Sequence, residues 1–291
     1  MNLREQEYMT TIVKCGNISK ASELLCISHP SLSQFVQKVE RDVGYEIFDR
    51  QHKPISLTAA GMEYIDACYR MLQLERELEK KVEDISEIKR GRIAIGVTSH
   101  RSPYLLPDIL FNFQERYPDI SVEVIEKLST DELEDITLRG EADLFFTTAP
   151  LKNDGFLSEH LLDDTLSLVI PPDSIVPNMY NMTFNDIADY IRCSLKDMKF
   201  VLSPQTMKLG RLTHRLFERI NFKPQIFFET YNMDTGIAMV GKGLCASFTF
   251  SILKPQKNYG PTPGYIPIVN KDFVVPLVIA FPKQHYLSKA A

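Results

Sequence analysis

Residues 19–33 read Ser-Lys-Ala-Ser-Glu-Leu-Leu-Cys-Ile-Ser-His-Pro-Ser-Leu-Ser, and this stretch decides the fold of the first part of the chain. Ser19 and Ser28 belong to the residue types that cap helix N-termini. Pro30 stands in the first turn after Ser28, where a missing N–H costs little. The stretch therefore predicts one helix that ends near Cys26 and a second that starts after Ser28.

Apolar residues continue from this stretch at helical spacing. Leu32, Val36, Val39 and Val43 are separated by 4, 3 and 4 residues, and Gly44 follows them. Such spacing puts one apolar stripe along the second helix. Two helices joined by about three residues, the second of them amphipathic, are typical of a helix-turn-helix.

The opposite face of this second helix carries polar side chains that suit base edges and phosphates in a DNA major groove. The candidates on this face are His29, Pro30, Ser33, Gln34, Gln37 and Lys38. A merely solvated polar face is the alternative interpretation. The next segment favours DNA, because two short strand-like pieces at 47–50 and 55–57 predict a β wing. Arg50 and Lys53 of that wing are placed to reach phosphate oxygens.

Thr58 is a candidate N-cap for a long helix running to about Lys89. One narrow apolar stripe follows along it, formed by Met71, Leu74, Leu78, Val82 and Ile85. The intervening positions are mostly charged, which favours a helix-to-helix seam. A helix that packs on its own domain is the alternative.

After Arg90-Gly91-Arg92, strand and helix signals alternate, which indicates α/β layers with mainly parallel sheets. Strands are predicted at 93–97, 121–125, 142–146, 166–170, 199–202, 225–229, 245–248 and 274–281. Helices are predicted at 105–115, 130–138, 182–190 and 207–220.

Hydroxyl side chains follow several of these strands. Ligands bind beyond the carboxyl ends of strands in open α/β sheets, and helix N-termini hold anions. We therefore expect a small organic anion to be contacted there, with Phe248 as an apolar wall. The candidate residues are Thr98, Ser99, His100, Thr147, Thr148, Ser203, Thr206 and Phe248. His100 is considered as a charge-dependent anion partner. The alternative is that the hydroxyls only cap helices.

Composition limits the remaining function classes. The net charge of -5 is an unusual footprint for a nucleic-acid binder. Residues 1–58 are neutral, however, with seven Lys/Arg and seven Asp/Glu.

No catalytic motif, metal-ligand spacing or cofactor fingerprint is visible, so we expect neither an enzyme nor a bound cofactor or metal. The five cysteines predict reduced thiols, with a Cys193–Cys245 redox pair as a lesser alternative. No apolar run is long enough for a membrane helix and no secretory signal is visible, so we expect a cytoplasmic protein.

Residues 3–61 closely resemble the winged helix-turn-helix of LysR-type transcriptional regulators. The residues that carry the resemblance include Ser19–Leu25, Ile27–Ser33, Ile47–Arg50 and Leu57–Gly61. The resemblance implies that His29, Pro30, Ser33 and Gln34 read bases, while Arg50 and Lys53 hold phosphates. The family often has Gln where this chain has His29, which suggests an individual operator sequence.

Residues 91–291 are similar, less specifically, to the effector-binding part of the same family, which has the two-lobed architecture of periplasmic binding proteins. Landmarks lie at 117–120, 138–143 and 240–244, although Phe248-Thr249-Phe250 stands where the family often has proline. The fold class implied is mixed, with an α-rich winged helix-turn-helix and a linker helix followed by a two-lobed α/β domain. The implied division is DNA-binding domain 1–58, linker 59–90 and effector domain 91–291. Lobe 1 takes about 92–165 and 269–291, and lobe 2 takes about 166–268.

The function implied is a sequence-specific transcriptional regulator controlled by a small-molecule effector between the lobes. Its expected partners are double-stranded promoter DNA, the effector and a second copy of the chain, as a homodimer or homotetramer. RNA polymerase is a further candidate partner. The alternative is a small-molecule sensor that acts through a protein partner rather than DNA. The effector, the operator and the sign of regulation stay open.

Overall fold

The computed structural model describes residues 3–49, 54–85, 91–252, 261–289 and 291. The chain opens with three helices: α1 (Leu3–Cys15), α2 (Ile18–Leu24) and α3 (His29–Val43). Ser28 caps α3 by accepting from the Ser31 backbone N–H at 3.2 Å, which confirms that cap. The predicted Ser19 cap of α2 is wrong. The side chain of Asn17 accepts from the N–H of Ser19 at 2.7 Å, so α2 starts one residue before Ser19.

Two short antiparallel strands follow, β1 (Phe48–Asp49) and β2 (Ser56–Leu57), as the wing interpretation predicts. A carboxylate oxygen of Glu40 on α3 accepts from the N–H groups of Ile47 and Phe48 at 3.0 and 3.1 Å, which fixes the wing to that helix. Gly61 lies directly under the wing. A Cβ atom there would come 2.0 Å from the carbonyl oxygen of Ile47.

The long helix α4 spans Ala59–Ile85, and residues 86–90 lie outside the described residues. Thr58 caps it by accepting from the Gly61 N–H at 2.9 Å, as predicted. Its first half packs on α1 through the buried side chains of Ile65 and Cys68. Further along α4 the predicted seam residues Leu74, Leu78, Val82 and Ile85 are largely exposed, since the described residues leave more than half of each side chain uncovered, and Met71 is exposed at 41%.

Strands and helices alternate through the rest of the chain. The strands are β3 (Gly91–Thr98), β4 (Ile120–Lys127), β5 (Leu144–Thr148), β6 (Phe156–Ile170), β7 (Lys199–Leu202), β8 (Gln225–Glu229), β9 (Ala246–Phe250), β10 (Gly264–Pro267) and β11 (Val274–Pro282). The helices are α5 (Ser102–Arg116), α6 (Thr130–Leu138), α7 (Phe184–Ser194), α8 (Lys208–Arg219) and α9 (Met233–Gly241).

Hydrogen bonding links the strands in the order β4-β3-β5-β11-β6-β9-β7-β8, and β10 pairs with β6. The expectation of mainly parallel sheets is wrong. β3 and β7 pair in parallel with their neighbours, whereas β6, β10 and β11 make antiparallel pairs. The antiparallel pairs arise because β6 and β11 run back between the two halves of the fold.

β6 belongs to both halves of this α/β region. Residues 156–165 of β6 pair with β11, and residues 166–170 pair with β9 and β10. We name the half around β3, β4, β5 and β11 lobe 1, and the half around β7, β8, β9 and β10 lobe 2. Each lobe has its own buried apolar core. Residues 164–166 are thus a crossing point from one lobe to the other.

Lobe 1 contacts the linker helix. The Lys80 ammonium group on α4 pairs with the carboxylate of Asp143, and the Arg76 guanidinium donates to the carbonyl of Gly140 at 2.7 Å. Near the end of α4, the Tyr286 hydroxyl donates to Asp84 at 2.7 Å. These contacts join the α/β region to the long helix that follows the N-terminal helices and the wing.

Candidate functional site

The polar face of α3 is open to solvent. His29, Pro30, Gln34, Gln37 and Lys38 are exposed and Ser33 is half-buried, whereas Leu32, Val36 and Val39 on the opposite face are fully buried. The structure thus gathers the six α3 candidates on one accessible surface at and after a helix N-terminus. Arg50 and Lys53, the predicted phosphate contacts of the wing, lie outside the described residues.

A cavity of about 500 Å³ lies between the two lobes. Five of the predicted effector residues line it, namely Thr98, His100, Thr147, Thr148 and Thr206. Ser99 lines a neighbouring cavity of about 360 Å³ together with His100. The structure therefore brings the ends of β3 and β5 and the start of α8 to one cleft.

Two predicted residues lie elsewhere. Ser203 is buried, and its hydroxyl points at the sulfur of Met233, 2.9 Å away, so it lines neither cavity. Phe248 is buried in the core of lobe 2 against Phe200 and Phe217. Phe250 lines the cleft instead. It is the last residue of β9 and pairs with Leu166 at the lobe crossing, whereas Phe248 lies two residues deeper in lobe 2.

The cations of the cleft are absent from the sequence-based set. Lys208, at the first position of α8, donates to the Thr148 hydroxyl at 2.9 Å and to the Ala149 carbonyl at 2.6 Å. Arg211, one turn later, donates to the carbonyls of Gln205 and Thr206. Within the described residues neither cation has a carboxylate partner. Their spacing of three residues predicts that they share one face of the helix, but it does not predict that this face turns to the cleft.

Burial, together with the nearby guanidinium groups of Arg101 and Arg211, lowers the pKa of Lys208 to about 8. An anion beside Lys208 would offset both effects, because an opposite charge favours the protonated amine. The N-terminus of α8 adds to this preference, because Met207 at its cap position makes no side-chain capping bond. The first turn of α8 thus leaves backbone N–H groups available at the cleft.

A buried ion pair lies at the floor of the cleft, where the lobes meet. Arg101 Nη1 is 3.5 Å from a carboxylate oxygen of Asp164, and the Arg101 guanidinium stacks over Phe250 at 5.1 Å. The other oxygen of Asp164 accepts from the N–H groups of Thr165 and Ile252 at 3.0 and 3.1 Å. Arg101 of lobe 1 is therefore fixed to both segments at the lobe crossing.

His100 does not supply charge to the cleft at neutral pH. Burial, together with the positive charge of Arg101, lowers the pKa of its imidazole to about 4. The expectation of a charge-dependent anion partner therefore has to be revised. A neutral imidazole can still donate or accept one hydrogen bond from a ligand.

Two buried polar atoms on the cleft wall have no hydrogen-bond partner among the described residues. They are the hydroxyl of Thr98 and one carboxylate oxygen of Glu134. Buried polar groups are normally satisfied, so a molecule of solvent or ligand in the cavity would pair with these two atoms. Thr147 is partnered, since its hydroxyl lies 3.1 Å from that of Thr130 on α6.

Other site chemistries find no support in the described part of the chain. It contains no cluster of three or more His, Cys, Asp or Glu that could hold a metal. Its cysteines are free, with Cys193 exposed and Cys245 buried, so the pair considered from the sequence is not formed. No described helix combines the length and apolar character that crossing a membrane requires.

Comparison with known proteins agrees with the two halves of this architecture. Residues 3–62 match the family described as bacterial regulatory helix-turn-helix protein, lysR family. Residues 86–291 match the family described as LysR substrate binding domain. The second match alone covers more than half of the chain.

Relatives and solved structures extend over nearly the whole length. The chain is 26% identical to the uncharacterized HTH-type transcriptional regulator YcgK of Bacillus subtilis, covering 100% of this chain and 92% of the relative. It is similar in fold to CbnR, a LysR family transcriptional regulator, with TM-score 0.67, 18% identity and 100% and 95% of the two chains covered. CbnR in complex with its target DNA matches with TM-score 0.65 and 20% identity, over 99% and 95% of the chains.

Proposed function

Because the chain belongs to the LysR family of bacterial transcriptional regulators, we propose that it reads a specific operator with α3 and the wing, under the control of a small organic anion bound between its lobes. Members of this family are DNA-binding regulators and not enzymes, and the C-terminal half is the effector-binding domain.

The observation that carries the effector proposal is the pair of cations on α8. Lys208 and Arg211 face a cavity of about 500 Å³ and have no carboxylate partner within the described residues. Cavities of roughly 300–1,000 Å³ suit small molecules. Cations held by neutral carbonyl and hydroxyl groups at an uncapped helix start favour an anionic ligand.

A ligand that contacts both lobes favours one lobe arrangement over another and shifts that equilibrium. The shift can reach the DNA-binding half, because Asp143 links β3 of lobe 1 to the linker helix α4. One of its oxygens accepts from the Ala94 N–H of β3 at 2.7 Å, and the other pairs with Lys80 of α4. β3 in turn leads to Thr98 at the cleft.

We further propose that the active form is a homodimer or homotetramer. The support is the exposed stripe on α4, which a second copy of that helix would cover. A dimer with two-fold symmetry places the recognition helices of its two DNA-binding domains in successive major grooves. Such a regulator would work in the cytoplasm, where its DNA lies, with RNA polymerase as a further candidate partner.

The test of operator reading is binding of the full chain to promoter-proximal duplexes and to a shuffled duplex, at several salt concentrations. We expect preference for one natural duplex, and equal affinity for all duplexes would refute sequence-specific reading. It would leave action through a protein partner as the alternative. Gln34→Ala should reduce the preference, whereas Lys53→Ala should weaken binding to every duplex and flatten the salt slope by about one unit.

The test of effector control is to repeat the operator titration with a panel of small carboxylates. We expect at least one carboxylate to change operator affinity, and the change should be lost in Lys208→Met. Glu115→Gln, on the exposed surface of α5, is the control. If no carboxylate binds the full chain in calorimetry, the proposed anion site is refuted, whatever the result with DNA.

A further inference from the structure

The second cavity, of about 360 Å³, differs in character from the first. Five side chains line both cavities, so they are adjoining chambers of one cleft: His100, Leu128, Met207, Tyr231 and Met233. We name the chamber of about 500 Å³ the inner chamber and the chamber of about 360 Å³ the outer chamber. No Lys or Arg is found among the described residues that line the outer chamber.

Apolar side chains from both lobes form most of the outer chamber. Leu128 projects from the segment after β4 in lobe 1, and Tyr231 from the segment after β8 in lobe 2. Their exposed fractions are 68% and 57%, which is high for a large apolar side chain and an aromatic one. Met207 and Pro103 add further apolar surface between them. Exposed apolar surface gathered at the edge of a ligand cleft is typical of a binding surface.

The one carboxylate of the outer chamber is already engaged. Asp234, at the start of α9, accepts from the hydroxyl of Tyr104 on α5, and its own N–H donates to the Asn232 side chain at 3.0 Å. This pair links the two lobes across the chamber. The chamber therefore offers a ligand apolar contact rather than a second free ionic partner.

We propose that the effector is an amphipathic organic anion, whose anionic head is held by Lys208 and Arg211 in the inner chamber and whose apolar arm fills the outer chamber. The inference rests on the proposed effector function and narrows its ligand class. Because the arm touches Leu128 of lobe 1 and Tyr231 of lobe 2, it contacts both lobes. An arm of sufficient length therefore strengthens the lobe arrangement that the head selects.

A homologous series of probes tests this class. Acetate, butyrate, hexanoate and octanoate are titrated into the full chain by calorimetry, with 1-hexanol as a probe that has the arm but lacks the charge. Burial of each methylene should raise affinity about fourfold until the chamber is full. Hexanol should bind far more weakly than hexanoate. Equal affinities for acetate and octanoate would refute the apolar arm and leave the anion site standing.

Matched variants separate the two chambers. Leu128→Ser and Tyr231→Ser should each reduce the gain from butyrate to hexanoate by more than they change acetate affinity, because the arm depends on these side chains more than the head does. Leu244→Ser is the control, because Leu244 is also exposed, at 55%, and lines neither chamber. Lys208→Met should weaken every carboxylate alike. If both chamber variants keep the full chain-length gain, the outer chamber does not hold the arm. If no carboxylate binds wild type, the proposed anion site fails, and the arm inference fails with it.

Discussion

Lys208 is the residue whose ionisation sets how strongly the cleft attracts an anion. Its pKa of about 8 means that it holds its proton at pH 7 and loses it above pH 8. A bound carboxylate would raise that pKa, so affinity should be constant below pH 8 and fall by up to about tenfold per unit above it. Calorimetry with hexanoate from pH 6.5 to 9.5 measures the profile.

Lys208→Arg is the control for that profile, because a guanidinium group stays charged throughout this range. We expect the variant to bind hexanoate with little change between pH 7 and 9. A profile in Lys208→Arg that falls as steeply as in wild type would assign the pH dependence to another group.

The ionisation of His100 affects the stability of the folded chain rather than its affinity for a ligand, and the effect appears at acidic pH. Its pKa is about 4 in the folded chain, against an ordinary value near 6.5 in the unfolded chain. The unfolded state therefore binds more protons between these values, and stability present above pH 6.5 is lost as the pH falls toward 4. His100→Asn should remove about 2 kcal/mol of this loss, allowing for the partial exposure of the ring. Urea unfolding of both proteins at pH 7 and pH 5 gives the difference, and identical pH dependence would contradict the assignment.

At the scale of elements, the contact between α4 and lobe 1 depends on a short turn after α6. Gly140 in that turn has φ +69°, and a Cβ atom there would come 3.0 Å from the Gln73 side chain on α4. Arg139 beside it stacks over Tyr69 at 4.9 Å. The turn therefore fits closely against α4, which places Asp143 next to Lys80.

Removal of the Lys80 charge should loosen this contact. Lys80→Met leaves Asp143 mostly buried without its cation, and a broken pair of this kind costs about 1–3 kcal/mol. We expect faster hydrogen exchange in residues 76–82 and 139–143. Arg70→Met is the matched control on the same helix, because its pair with Asp66 is exposed and contributes little. Equal exchange in both variants would show that the Lys80–Asp143 pair does not hold lobe 1 against α4.

Elements with a clear apolar periodicity or a clear helix cap could be predicted from the sequence, whereas elements without these signals were missed. α3, the wing and most strands of lobe 1 follow from spacing and caps. Residues 156–165 of β6 were missed because many of their side chains are polar and exposed, so the strand lacks an apolar face. α9 was missed because Gly236 and Gly241 weaken its helical signal.

For the candidate site, the strand-end rule located the cleft but not its charges. Thr98, Thr147 and Thr148 lie where strands end, so they could be predicted from the sequence. Lys208 and Arg211 could not be assigned in the same way, since the rule does not say which face of α8 turns to the cleft. Arg101 depends on Asp164, which is 63 residues away in the sequence and adjacent only in the folded chain.

At the scale of the whole molecule, the net charge of -5 is unevenly distributed. Residues 1–58 are neutral, so the surplus of acidic residues belongs to the linker and the effector domain. A DNA-binding domain without net positive charge offers few cations for contacts with phosphates. Affinity for DNA should therefore depend on two linked DNA-binding domains that bind together, since a linked second contact adds affinity without any new type of contact.

This dependence makes the exposed stripe of α4 testable. Leu74 and Leu78 have exposed fractions of 64% and 63%. Their replacement in the double variant Leu74→Gln/Leu78→Gln should leave the helix intact, because Gln is a good helix former. We expect the double variant to sediment as a folded monomer and to lose operator affinity by about a hundredfold or more. Met62→Gln, which changes an equally apolar residue exposed at 57% near the start of the same helix, should keep both the wild-type mass and the wild-type affinity. A double variant with unchanged mass would show that the chains pair elsewhere. A monomer that binds the operator as tightly as wild type would instead refute the argument that DNA binding by this domain without net charge depends on dimerisation.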